Sequence, residues 1–420
     1  MDHFHFQDGE LHVEDVAVSR IAAEVGTPVY IYSASTFRRH AQVFREGLKG
    51  LPRVHLAYAI KANPNLAVLR VLADEGYGAD VVSVGEMRRA LAAGMKAEDI
   101  VFSGVGKTKR ELVAALEAGI GQFNLELEEE GAVLAELAHE RGLVAPATLR
   151  VNPDVDAGTH AKISTGRKEN KFGVPIDQAL GMFDRLAGLP GIDLKGVACH
   201  IGSQLGDLAP LEAAYKRVGE LVAELRGAGH RISRVDLGGG LGVPYKPGDV
   251  MPAPAAYGEM VARVTKDWDV ELMFEPGRVI AGNAGVLATE VVWVKPGVAN
   301  PYVIVDAAMN DLARPALYDA WHDFIAVKPT GETMMANIAG PVCETGDTFA
   351  MNREIDVVKS GDLAVFRTAG AYGATMASTY NSRPLVPEVM VEGDRFAVVA
   401  DRIAAETIIA AERVPEWLKK

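Results

Sequence analysis

The stretch VHLAYAIKANPNLAVLRVLADEGYGADVVSVGEMRRALAAG, Val54–Gly94, changes its hydrophobic period three times. VHLAYAI (Val54–Ile60) is a short, mostly apolar run, the length of one buried strand. NLAVLRVLADEG, from Asn65, repeats apolar residues at three- and four-residue spacing and stops at Gly76, as a helix and its C-cap do. GADVVS, from Gly78, returns to a short β-branched run, and SVGEMRRALAAG is helical again, closing on Gly94. Strand, helix, strand, helix is the grammar of a parallel sheet.

The alternation continues along the first two-thirds of the chain. DIVFSG (from Asp99), QFNLE (from Gln122), PATLRVN (from Pro146), LKGVACHIG (from Leu194), RVDLGGG (from Arg234) and ELMFEPG (from Glu271) are further strand candidates. TKRELVAALEAG and PLEAAYKRVGELVAELRGAG are among the helical patterns between them. Eight such units over roughly 250 residues match an α/β fold of the (β/α)8 TIM-barrel type. An open doubly wound sheet is the alternative.

From about Val286 the pattern changes. TEVVWVKPG, PYVIVDAAMN, DVVKSGDLAVF and EVMVEGDRFAVVA read as strands separated by the turn signals KPG, KSGD and EGDR, without intervening helices. FHFQDGELHV reads as a hairpin around Asp8-Gly9, and TPVYIYS as a further strand. The expected division is a barrel over 34–282 and a β-rich, β-barrel-like domain from 1–33 and 283–420.

At 420 residues the chain can bury at least one large core. A net charge of -13 argues against nucleic acid or an anionic membrane as partner, because both need a basic face. Cys199 and Cys343 lie far apart, with neither metal nor disulfide spacing, which fits a reducing cytoplasm. MDHFHFQDGE lacks the basic and apolar regions of a secretion signal, and no apolar run reaches about 18 residues, so no membrane span is expected.

Lys61 directly follows a buried strand, where an ammonium is costly unless it is paired or exposed. In a (β/α)8 barrel the active site lies at the C-terminal strand ends. Those ends carry Lys61; Asp80 and Ser83; His200, Gly202, Ser203 and Gln204; Gly238, Gly239 and Gly240; and Glu275, Gly277 and Arg278. Loops after strands 7 and 8 of such barrels often hold phosphate, and glycines let backbone N–H groups approach it. A glycine turn between strand and helix also needs no ligand, and GGGLGV does not complete G-x-G-x-x-G.

A phosphate site beside a strand-end lysine suggests pyridoxal 5'-phosphate held as a Schiff base on Lys61. His200 would lie flat against its ring, and an anionic Glu275 would keep the pyridine nitrogen protonated. Taken singly, His200 reads as a hydrogen-bonded structural histidine and Glu275 as a turn residue. Together on one rim they favour the cofactor.

YAIKAN (Tyr58–Asn63), HIGSQ (His200–Gln204), DLGGGLG (Asp236–Gly242) and EPGR (Glu275–Arg278) resemble the pyridoxal-phosphate decarboxylases of the alanine racemase fold type. MNDLARPALYDA (Met309–Ala320), GPVCETGD (Gly340–Asp347) and AGAYGATMASTYNSRP (Ala369–Pro384) resemble, more narrowly, the diaminopimelate decarboxylase family. The motifs run in order over nearly the whole chain. That family performs the last step of bacterial lysine biosynthesis, from meso-diaminopimelate to lysine and CO2. The resemblance implies a homodimer with active sites at the subunit interface.

It also implies roles. Lys61 would hold the cofactor and Asp80 would border it, His200 would stack on its ring, and Glu275 would meet the pyridine nitrogen. Ser203, Gly238–Gly240, Gly277, Arg278 and Tyr372 would surround the phosphate. Arg278, Arg314, Tyr318, Glu344 and Tyr372 would bind substrate. Cys343 and Glu344 would come from the partner subunit, with Cys343 as the catalytic acid. Thr379, where Asn is expected, and Leu385, often Arg, depart from the family pattern.

The substrate roles make chemical sense. A distal carboxylate calls for the planar fork of arginine, at Arg278 and Arg314, and a distal ammonium calls for the anion of Glu344. An ornithine or lysine decarboxylase needs only the anion, and for the rival reading, a decarboxylase of another basic amino acid such as ornithine or arginine, a paired-Asp motif near Cys343 would be the mark. An alanine racemase would place arginine where Glu275 stands. A non-catalytic carrier or degenerate homologue would lack the second domain, Lys61, Cys343 or the arginines.

Overall fold

The computed structural model describes residues 2–156 and 171–419. The chain divides into two compact units. One comprises Phe37–Pro244 and Gly248–Ile280; the other comprises Met1–Thr36, Tyr245–Pro247 and Ala281–Lys420.

The first unit is a closed barrel of eight parallel strands. They are β1 (Val54–Ala59), β2 (Gly78–Val81), β3 (Ile100–Phe102), β4 (Gln122–Leu125), β5 (Ala145–Asn152), β6 (Ile192–Ala198), β7 (Arg234–Asp236) and β8 (Glu271–Phe274). Each pairs with the next, and β8 pairs with β1. All eight strand candidates are therefore present, and all but β5, which ends on Asn152 as its run does, are shorter at their C-terminal ends than the runs read from the sequence. β6 stops at Ala198 and β7 at Asp236, so His200 and Gly238–Gly240 lie in the loops beyond.

Side-chain caps and one buried face fix several of the barrel helices. Asn65 caps Leu66–Asp74 by accepting from the Ala67 N–H at 2.9 Å. Thr108 and Glu111 form a capping box at the start of Lys109–Ala118, which ends on Gly119 in the left-handed region. Val68, Leu69 and Leu72 are fully buried. Each such side chain contributes about 1.5–3 kcal/mol, more than differences in helix propensity can supply.

The second unit is built on a sheet in the order Thr348–Asp356, Thr333–Ala339, Tyr302–Val305, Gly285–Lys295, Val29–Ser33, Glu388–Glu392, Arg395–Ala400. Leu363–Phe366 also pairs with Gly285–Lys295, and Phe324–Ala326 pairs with Leu363–Phe366. The N-terminal hairpin forms between Phe4–Gln7 and Glu10–Val13, with Asp8 at φ 52° and Gly9 at φ 79°, as a type I′ turn demands. Val13, Ile21, Ile31, Val365 and Val391 belong to its core.

Two features differ from the sequence reading of this unit. Phe324–Ala326, Thr333–Ala339 and Thr348–Asp356 are strands that the reading did not isolate, and short helices occupy Arg314–Tyr318 and Ala405–Ile409. No helix among the described residues is long and apolar enough to cross a membrane.

Candidate active site

Strand register decides what meets at the barrel mouth. Ala59 of β1 pairs with Asp80 of β2, so Lys61, two residues on in a single 3-10 turn, stands beside Asp80. Lys61 Nζ donates to Asp80 Oδ2. Asp80 is fully buried, and its other oxygen, Oδ1, has no hydrogen-bond partner among the described residues. An amine thus sits at 39% exposure on a carboxylate without water around it. The cost of ending a buried strand on lysine is met by that pair. Ser83 has a plainer duty, capping Val84–Ala92 by accepting from the Glu86 N–H at 3.2 Å.

Glu275 follows β8, with its N–H on the Gly238 carbonyl at 2.7 Å. Burial pushes its carboxyl well above the usual range, and the charges of Asp236 and Asp80 push it further, against the pull of Lys61. Asp236 is likewise raised, first by burial. The two are joined by Asn124, whose Nδ2 lies 3.1 Å from Asp236 Oδ2 and 3.3 Å from Glu275 Oε1. Gln122 and Thr148 complete this polar cluster inside the barrel, at 2.7 and 2.6 Å from Asn124 Oδ1.

His200 stands half-buried past the end of β6. Gly239 N–H donates to its Nδ1 at 3.2 Å, which leaves the ring proton on Nε2. Loss of hydration, reinforced by the charges of Arg150 and Lys61, lowers its pKa to about 3, so the ring is neutral at physiological pH. Arg278 is buried and reaches Ser203 Oγ with Nε at 3.3 Å and Nη2 at 3.2 Å.

The glycine turn is set by close backbone approach. A Cβ at Gly238 would meet the Cys199 carbonyl oxygen at 2.6 Å, and one at Gly239 the Glu275 carbonyl oxygen at 2.3 Å. Only glycine lets the three loops converge here. Packing alone therefore accounts for these glycines. A Cβ at Gly277 would crowd Ala59 and Ala62 at 3.1 and 3.3 Å.

The remaining candidates belong to the other unit. Arg314 is buried and opens the helix Arg314–Tyr318, with Tyr318 half-buried at its end. Cys343 and Glu344 are exposed on a turn, tied down where Cys343 N–H donates to Asn381 Oδ1 at 3.1 Å. Tyr372 sits at φ 56°, a left-handed conformation uncommon for a bulky residue. Strain of this kind clusters at functional sites.

Sequence reading missed Asn124, Asp236 and a second buried pair, Arg150 Nη1 with Glu126 Oε1 at 2.8 Å. A signal existed. Gln122 and Asn124, like Thr148 and Arg150, are polar residues two apart in barrel strands, where alternate side chains point inward.

The barrel residues fit pyridoxal 5'-phosphate. Lys61 offers an amine, and Asp80 Oδ1 is a buried acceptor with no donor among the described residues. Glu275 and Asp236 are carboxyls that a protonated ring nitrogen would relieve.

Comparisons with known proteins agree. Residues 34–282 match the family described as pyridoxal-dependent decarboxylase, pyridoxal binding domain. The chain is 52% identical over 420 residues to the diaminopimelate decarboxylase of Zymomonas mobilis subsp. mobilis, covering 99% of each. The crystal structure of the diaminopimelate decarboxylase of M. jannaschii in complex with L-lysine superposes with a TM-score of 0.95 at 36% identity, covering 100% of this chain and 99% of that one. That of Helicobacter pylori, also with L-lysine, gives a TM-score of 0.90 at 38% identity over 93% and 98%. With a lysine-ended (β/α)8 barrel, a carboxylate at Glu275 and this likeness along its length, the chain belongs to the pyridoxal-dependent decarboxylases and, within them, to the diaminopimelate decarboxylase family.

Proposed function

We infer that this chain removes CO2 from meso-diaminopimelate and leaves L-lysine, using pyridoxal 5'-phosphate. The observation that carries this reading is Lys61 on the buried Asp80 carboxylate, with Glu275 facing the same charges at the strand ends. The chemistry the cofactor supplies when bound is an electron sink for the carbon that loses CO2.

The residues do the rest. Lys61 Nζ tethers the cofactor. Glu275 would hold the charge opposite its ring nitrogen, and neutral His200 would lie against its ring without adding a cation. Ser203, the Gly238–Gly240 turn, the Gly277–Arg278 backbone and Tyr372 would surround the phosphate. Arg278, Arg314, Tyr318 and Tyr372 hold substrate, and Glu344 its distal ammonium. Cys343 Sγ–H delivers the proton that replaces CO2.

The exposure of Cys343 and Glu344 supports a homodimer in which they complete the site of the partner subunit. A fully formed site would then exist only in the dimer. The sparse, unpaired cysteines support a cytoplasmic location.

Product identity tests the activity. Purified protein with pyridoxal 5'-phosphate should release one CO2 for each lysine formed from meso-diaminopimelate and turn over neither ornithine nor arginine. Turnover of ornithine or arginine instead would overturn the assignment.

A further inference from the structure

Arg314 has, among its partners, a neutral acceptor, His322. Its Nη1 lies 2.9 Å from His322 Nε2. A guanidinium can only donate, so Nε2 must accept and carry no proton. His322 Nδ1 lies 2.9 Å from the Arg367 carbonyl oxygen, which can only accept, so Nδ1 must carry the proton. Two independent partners thus demand the same neutral tautomer. An imidazolium, with no acceptor, would lose the Arg314 contact.

The surroundings fix both rings. His322 is 1% exposed and Arg314 7%. The Tyr245 ring lies 4.6 Å below the Arg314 guanidinium and stands edge-on to His322, with centroids 5.4 Å apart at 84°. Arg353 Nη1 donates to the His322 carbonyl at 2.5 Å while its guanidinium stacks 3.5 Å over Trp321. The Arg314 fork is therefore set in its plane by His322 and across its face by Tyr245.

We propose that His322 is the positioning residue that orients Arg314 for the distal carboxylate of the substrate without neutralising it. This rests on the reading of Arg314 as a substrate arginine. An Asp or Glu at this position would pair with the fork and cancel the charge the substrate needs. A neutral imidazole aims the same fork and leaves its charge intact. Holding the fork in place before binding reduces the ordering cost of capture, which is expressed in KM.

The test is steady-state kinetics on meso-diaminopimelate with the cofactor-loaded enzyme and the variants Arg314→Ala, His322→Ala, His322→Gln and His322→Glu. His322→Ala should raise KM about tenfold with kcat changed less than about threefold. His322→Gln, whose amide oxygen can still accept, should recover most of that loss. His322→Glu should raise KM as much as Arg314→Ala does. If His322→Ala fails to fold, the Gln and Glu variants of similar size still separate a neutral acceptor from a charged one. Arg314→Ala raising KM while every His322 variant matches wild type, or while Gln and Glu behave alike, would overturn the positioning role and leave the substrate reading intact. An Arg314→Ala enzyme with unchanged KM would overturn both.

Discussion

Asp236 and Glu275 accept from the same amide nitrogen, Asn124 Nδ2, at 3.1 and 3.3 Å, and burial raises both carboxyls. Two buried carboxyls sharing one amide need a proton between them. A protonated pyridine nitrogen held against Glu275 would meet that need from outside the pair. Replacing Glu275 by Gln should therefore leave the Lys61-bound cofactor visible by absorbance while lowering kcat about 100-fold or more. A kcat within about threefold of wild type would remove Glu275 from the chemistry.

The same pair makes stability depend on pH in a stated direction. The folded Glu275 carboxyl titrates well above its unfolded value of about 4.3. Between those values the folded chain keeps a proton that the unfolded chain has lost, so this contribution is whole at low pH and is lost as pH rises. In cofactor-free protein, the thermal midpoint of Glu275→Gln should gain on wild type from about pH 4 upward. A difference constant from pH 4 to 8 would refute the raised pKa.

Backbone crowding at the glycine turn predicts a contrast between two alanine substitutions. Gly239→Ala sets a methyl 2.3 Å from the Glu275 carbonyl oxygen, while a Cβ at Gly188 meets nothing within 4 Å. The first should cost about 3 kcal/mol by chemical denaturation, and the second less than about 0.5 kcal/mol. Equal costs would mean that the turn is looser than its geometry.

The two thiols should differ sharply in reactivity. Burial pushes the Cys199 thiol up to about 12, while Cys343 is exposed on its turn. Iodoacetamide, followed by peptide mapping, should modify Cys343 alone in folded protein, and activity should fall in step with that modification. Full activity after complete modification of Cys343 would exclude it as the acid.

Much of the barrel rim was legible because an apolar run that stops on Lys61 or Glu275 announces a strand end, and the period change between runs announces the crossover helices. Asn124 and Asp236 were not, because each reads as part of a strand and their contact spans 112 residues of chain. His322 carries no local signal at all; its ring acceptor, the Arg367 carbonyl, lies 45 residues away. In the second unit, Thr333–Ala339 and Thr348–Asp356 mix Met, Asn and Arg with apolar residues and shift register between Ala336 and Ile338. Such a bulge breaks the two-residue alternation by which strands are recognised.

The central claim is that one catalytic site needs Lys61 of one subunit and Cys343 of the other. Lys61→Ala and Cys343→Ala variants, each inactive alone, can be mixed and allowed to exchange subunits. Random exchange places one intact site in every mixed dimer, so decarboxylation of meso-diaminopimelate should return to about a quarter of the wild-type rate. A mixture that exchanges subunits yet stays inactive would contradict the shared site.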